Sequence, residues 1–156
     1  MIRPATPADV PTILALVREL AAFEREPDAV VATEADLAEA LFGDRPAAEA
    51  VIAEDAGEPL GFALFFHNFS TWTGKRGLYL EDLYVTPAAR GRGVGTGLLR
   101  HLAGIALDRG CGRFEWSVLD WNADAIAFYR AMGAVGMDEW TIQRVTGEAL
   151  QRLARG

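Results

Sequence analysis

Three groups of residues in this sequence have types and spacings that could do chemistry. The first is Arg90-Gly91-Arg92-Gly93-Val94-Gly95-Thr96-Gly97, where glycine occupies every second position. Glycine reaches positive φ without steric cost and leaves its N–H uncovered. A helix starting within the run adds unpaired first-turn donors and the positive end of its dipole. Such a bend is a cradle for phosphate or pyrophosphate. The second group is Glu81-Asp82, two carboxylates inside the apolar run Leu78 to Val85, where charge is unusual. The third is Trp121-Asn122 followed by Phe128-Tyr129, which offers a phenol of ordinary pKa about 10 as a proton donor. Each group also has a plain structural reading: a flexible loop, a salt-bridged carboxylate near a bulge, and a packing aromatic. The clean apolar face after the glycines (Leu98, Leu99, Leu102, Ile105, Ala106) argues against a floppy loop.

Three phosphate loops compete for the glycine run. A Walker loop ends in Gly-Lys-Ser/Thr, and Lys75 is the only lysine in the chain, so that option fails. A dinucleotide loop follows its strand directly, but Thr86-Pro87-Ala88-Ala89-Arg90 intervenes here, and Gly95 comes one residue early. The third is the coenzyme A loop Gln/Arg-x-x-Gly-x-Gly/Ala, which Arg90 to Gly95 fits in register. That loop resembles the one in the GNAT acetyltransferases. Tyr79-Leu80-Glu81-Asp82, Val118-Leu119-Asp120-Trp121-Asn122 and Phe128-Tyr129 are similar to segments of their diamine (spermidine/spermine) acetyltransferase branch, as are Ile2-Arg3-Pro4-Ala5 and Ser70 to Lys75. Ser70-Thr71-Trp72 and Ala106 to Cys111 resemble the thialysine acetyltransferases of that branch more closely still.

The resemblance covers nearly the whole chain. It implies an α+β GNAT fold and transfer of acetyl from acetyl-CoA to a primary amine by direct attack. The substrate would be a thialysine-like or lysine-like amino acid or a polyamine. Such an amine titrates near 10.4 (an approximate reference value), so neutral nucleophile is scarce at neutral pH without a base. The resemblance makes Glu81 that base and Tyr129 the acid for the leaving thiolate. It assigns the coenzyme to Leu83, Tyr84, Val85, Arg90, Gly91, Arg92, Gly93, Val94, Gly95, Thr96, Asn122, Ala125 and Phe128. The amine falls to Phe23, Glu24, Trp72, Glu81, Asp82, Glu115 and Trp116, since carboxylates and aromatic faces suit ammonium. It also implies a homodimer. Between Gly133 and Trp140 the chain is shorter than in that branch, in a region that shapes the amine pocket. A protein amine as substrate, a non-catalytic acetyl-CoA sensor and a dinucleotide oxidoreductase are the competing readings.

The remaining sequence must position these groups. At 156 residues and 51% hydrophobic content it reads as one domain, residues 1–156, with a sizeable core. Net charge of −7 disfavours nucleic acid. No apolar run approaches the ~20 residues of a membrane span, and no leader pattern opens the chain. With Cys111 the sole cysteine, a cytoplasmic address is expected. His67 and His101 lack metal-ligand spacing, so no metal is expected. Thr6-Pro7-Ala8-Asp9 and Thr33-Glu34-Ala35-Asp36 read as helix starts. Strands are expected at Ile2 to Pro4, Ala50 to Ala53, Leu60 to Phe66, Leu78 to Val85, Arg113 to Leu119 and Trp140 to Val145. Asn122 should cap a helix stopped by Gly133, and Thr146 a terminal one. The order implies a mixed, mostly antiparallel sheet flanked by helices.

Overall fold

The computed structural model describes the whole chain, Met1–Gly156, as two compact units, Met1–Leu119 and Asp120–Gly156. The first unit holds one sheet of five strands in sequence order: β1 (Ile2–Pro4), β2 (Glu49–Asp55), β3 (Glu58–Ser70), β4 (Lys75–Val85) and β5 (Phe114–Trp116). Neighbours from β1 to β4 are antiparallel, and β5 runs parallel to β4. A parallel neighbour needs a crossover, supplied by α3 (Val94–Asp108). The mixed, mostly antiparallel sheet expected from the sequence is therefore present. Asp55 pairs with Glu58, so the hairpin turn is only Ala56-Gly57, both at positive φ (50° and 82°), as tight hairpins prefer.

Two further helices, α1 (Val10–Phe23) and α2 (Glu34–Phe42), cover one face of the sheet. Ile13 and Leu16 of α1 and Leu41 of α2 pack there with Ala50, Ile52, Phe62 and Tyr84. Strand alternation sends Val51, Ala63, Phe65, Leu78 and Leu80 to the opposite face, where Leu98, Leu99, Leu102 and Ala106 of α3 are buried. Both expected helix starts are capping boxes. Thr33 N–H donates to Asp36 Oδ2 at 2.9 Å, and Asp36 N–H returns to Thr33 Oγ1 at 3.1 Å. Before α1, residues Pro7–Asp9 form a 3-10 turn, and Thr6 N–H donates to Asp9 Oδ2 at 2.7 Å. Arg3 then ties this corner to the sheet, reaching Asp9 at 2.8 Å and Glu54 at 2.9 Å.

The second unit contains α4 (Ala123–Ala131) and α5 (Gly147–Arg155). Asn122 caps α4, its Oδ1 accepting from Ala125 N–H at 3.2 Å. Two strand expectations are corrected. Trp140 to Val145 forms no strand, and its Trp140 and Ile142 side chains are 68% and 73% exposed. Alternation becomes a strand only where a neighbour accepts its backbone hydrogen bonds, and this unit holds no strand. The Arg113 to Leu119 strand shrinks to Phe114–Trp116, because pairing with β4 ends at Leu80.

Hydrogen bonding to Arg3, opposed by partial burial, lowers the Asp9 carboxyl from 3.8 to about 2. A depressed carboxylate contributes stability above its unfolded pKa and loses it as pH falls toward the folded value. Asp9→Asn should therefore cost about 1–2 kcal/mol at pH 7 and flatten the loss of stability between pH 4 and 2. Urea unfolding of both proteins at the two ends of that window checks it.

Candidate active site

Strand β4 carries the site, and its register explains how. Leu64 opposes Asp82 while Phe65 opposes Leu80, so Glu81 is an extra residue without a partner on β3. This is a bulge, and it shifts the hydrogen-bonding direction of everything beyond it. Before it, Leu78 N–H points to β5 and donates to Arg113 O at 2.9 Å. After it, Thr86 N–H points to β3 and donates to Leu60 O at 2.9 Å. Alternation then turns the N–H groups of Leu83 and Val85 to the opposite edge of β4. Beyond Leu80, that edge has no β5 partner.

The glycine run continues from this open edge. After a short 3-10 turn, Pro87–Ala89, and an extended Arg90, Gly91 and Gly93 sit at φ 78° and 81°. Gly93 is the N-cap of α3 and has no side chain to cap it. The first-turn N–H groups of Val94, Gly95 and Thr96 are thus left for a ligand. The two arginines are directed elsewhere. Arg90 Nε donates to Val85 O at 3.2 Å, and its guanidinium lies 5.3 Å from the Phe23 ring and 5.6 Å from the Tyr84 ring. Arg92 reaches Asp55 at 3.6 Å. Burial, and then a hydrogen bond with Glu19, push the Tyr84 phenol up.

Acidic groups collect beside the bulge. Asp82 pairs with Leu64 on the α1-covered face and is half-buried. Burial first, then the charges of Glu81 and Glu24, push its carboxyl up to about 6. Glu24, just past the end of α1, is also raised by burial. Glu81 is exposed. The bulge interrupts the regular alternation of β4 at Glu81.

The other expected amine-site residues are more dispersed. Glu115 pairs with Tyr79, on the same face as Asp82 but farther down the strand. Trp72 lies in the exposed β3–β4 turn, with the Arg113 guanidinium 6.0 Å from its ring. Trp116 pairs with Leu80 and so faces the α3 side, 4.9 Å from the Phe114 ring. In the second unit, the rings of Phe128 and Tyr129 lie 5.5 Å apart on α4, and Asn122 and Ala125 form its first turn. Gly133 (φ 99°) ends that helix. Sequence reasoning missed the Arg90–Phe23–Tyr84 stack and the Glu24–Asp82 coupling, since no local pattern reports which helix end meets which strand.

An amide-lined anion cradle beside an open strand edge suits a phosphate-bearing ligand, and the carboxylates at the bulge suit a cationic one. Comparison with known proteins gives the class. Residues 14–134 match the Acetyltransferase (GNAT) family. Thialysine N-epsilon-acetyltransferases of Sus scrofa and Bos taurus are 40% and 41% identical, over 99% of this chain and 96% of each relative. The L-ornithine N5-acetyltransferase of Arabidopsis thaliana is 35% identical, over 97% of this chain and 86% of the relative. A solved integron cassette protein from the mobile metagenome of V. cholerae superposes with a TM-score of 0.83, at 29% identity, over 100% of this chain and 98% of that one. The chain belongs to the GNAT acetyltransferase family and is an acetyl-CoA-dependent N-acetyltransferase. Its structure fits that co-substrate, because Gly91 and Gly93 have nothing within 4 Å of an added Cβ and α3 begins without a capping side chain.

A carboxyl whose folded pKa is raised takes up protons on folding, so stability falls as pH rises from the unfolded value to the folded one. Asp82→Asn should remove that loss, making the variant more stable than the native protein by roughly 1–3 kcal/mol at pH 7 and no more stable at pH 4. Thermal unfolding across pH 4 to 7 checks this; a variant less stable at every pH would contradict it.

Proposed function

We propose that the protein acetylates a primary amine of a small cationic substrate, a thialysine-like, lysine-like or ornithine-like amino acid or a polyamine, by direct attack of the amine. The observation that carries this is the carboxylate group Glu24, Glu81 and Asp82 beside the open edge of β4. The relatives named for thialysine and ornithine acetylation support the substrate class. The family match runs across residues 119 and 120, which supports reading both units as one acetyltransferase domain.

Acetyl-CoA supplies the acetyl group as a thioester when bound. The N–H groups from Gly91 to Thr96, main chain rather than guanidinium, hold its diphosphate. The N–H groups of Leu83 and Val85 hold its pantetheine arm and steady the carbonyl oxygen as charge develops there. Asn122, Ala125 and Phe128 complete the coenzyme contacts. Asp82 and Glu24 hold the substrate ammonium beside Phe23, with Trp72 and Glu115 as further substrate contacts, and Glu81 removes the proton from the attacking nitrogen; Trp116, on the α3 side of the sheet, is left out of this site. Tyr129 returns a proton to the departing sulfur through its hydroxyl. A homodimer would cover exposed apolar side chains of the second unit, Ile142 and Leu153 among them. A cytoplasmic setting suits a chain with one cysteine and no helix long and apolar enough to cross a membrane.

Thiol release from acetyl-CoA, measured with thialysine, lysine, ornithine, spermidine and short peptides, tests the reaction. Acetylation of a free small amine is expected, and activity on peptides alone would refute the reading. Tyr129→Phe should lower kcat by roughly a hundredfold or more while coenzyme affinity stays nearly constant. Unchanged turnover across the pH range would remove Tyr129 from the mechanism.

A further inference from the structure

The face of the sheet that carries Asp82 does not end there. Along the same face, away from the bulge, stand Tyr79, Gly77 and Lys75 of β4, opposite Phe66, Asn68 and Ser70 of β3. On the other side of β4, Glu115 faces the same way, paired with Tyr79. Three contacts confirm the shared side. The Phe66 and Tyr79 rings lie 5.2 Å apart, Tyr79 Oη is 2.8 Å from Ser117 Oγ, and a Cβ on Gly77 would come 2.3 Å from Asn68 Oδ1. Between these strands lies a polar cavity of about 110 Å³, lined by Asn68, Ser70, Lys75, Arg76, Arg113 and Glu115 among others.

The charges of this cavity are unlike those at the bulge. It gathers the only lysine of a chain whose net charge is −7 with two arginines and one carboxylate. None of the three cations is held in an ion pair, since the ion pairs of the chain use Arg3, Arg92, Arg109 and Arg152; Arg113 keeps only the face of the Trp72 ring, 6.0 Å away. We propose that this cavity binds the α-amino-acid head group of a diamino acid whose distal amine is acetylated at the Glu81 bulge. Arg113 and Lys75 take the carboxylate and Glu115 takes the α-ammonium. The inference rests on the small-amine reading above and narrows it.

Length supports the assignment. From Asp82 to Gly77 is five residues of strand, roughly 16 Å at about 3.3 Å per residue. An extended lysine-like chain spans about 7–8 Å from its distal nitrogen to its carboxyl carbon, from bond lengths of about 1.5 Å. A charge-assisted hydrogen bond of about 3 Å at each end brings the total to about 14 Å. A polyamine of the same reach would put a second ammonium among Lys75, Arg76 and Arg113, where like charge repels it. Nothing at the bulge distinguishes the two substrates; the far end does.

The test compares amines that differ only in the carboxylate: L-ornithine with putrescine, L-lysine with cadaverine, and thialysine with its decarboxylated form. The diamino acids should be favoured in kcat/KM by tenfold or more, roughly the value of one charge-assisted hydrogen bond. Arg113→Ala and Lys75→Ala should shrink that ratio, chiefly by raising KM for the amino acid. Equal or better use of the diamines by the native protein would overturn the inference. So would variants that lose both substrates in proportion. Calorimetric binding of L-ornithine and putrescine gives a readout without turnover. If no amine is acetylated, the proposed function falls, and the binding preference still decides this inference: tighter L-ornithine sustains it, equal or tighter putrescine overturns it.

Discussion

The constraint on which the rest depends is the single extra residue in β4. Without the bulge at Glu81, β4 would keep one hydrogen-bonding parity along its length, and Leu83 and Val85 would turn their N–H groups toward β3, where they are consumed. With it, pairing to β5 stops at Leu80 and the same groups face an unoccupied edge. One insertion therefore creates both a pair of free main-chain donors and a place for two adjacent carboxylates. The cost is carried by the core around it. Phe62, Phe65, Leu78 and Leu80 are buried almost completely on β3 and β4, and such packing holds a locally disrupted ladder in place.

The cradle after β4 follows the same economy of main chain over side chain. The resemblance places Arg90 and Arg92 among the coenzyme residues. In the fold the Arg90 guanidinium lies near the Phe23 and Tyr84 rings, and its Nε donates to Val85 O. These contacts link the loop to the end of α1 and to β4. What remains for an anion is the row of N–H groups opening α3, whose strength comes from alignment with the helix dipole rather than from a mobile side chain. A chain with one lysine can therefore hold a diphosphate without a Walker lysine.

Much of this was legible in the sequence, for identifiable reasons. Capping boxes at Thr6 and Thr33, the Asn122 cap, the glycine stop at Gly133 and the apolar face of α3 are local signals, and each lies where its residues predict. The glycine run was readable because positive φ at Gly91 and Gly93 is a property of those residues alone. What failed was non-local. Trp140 to Val145 alternates like a strand but has no neighbour to pair with in its unit, and β5 was overestimated because its length is set by the β4 bulge. The bulge itself was hidden: strand alternation over Leu78 to Val85 looks regular until the register with β3 is known.

The charge pattern on the α1-covered face explains why two separated features belong to one site. Burial first, and then the like charges of Glu81 and Glu24, raise the pKa of Asp82 in a half-buried corner, an arrangement that costs stability unless a cation arrives. Lys75, Arg76 and Arg113 bring the opposite sign to the cavity farther down the same strands. A zwitterionic chain lying between them, cationic at the bulge and anionic at the cavity, meets opposite charge at each end. Such a ligand gains from either end only when its length matches the span, so the two clusters act as a ruler as well as a pair of charges.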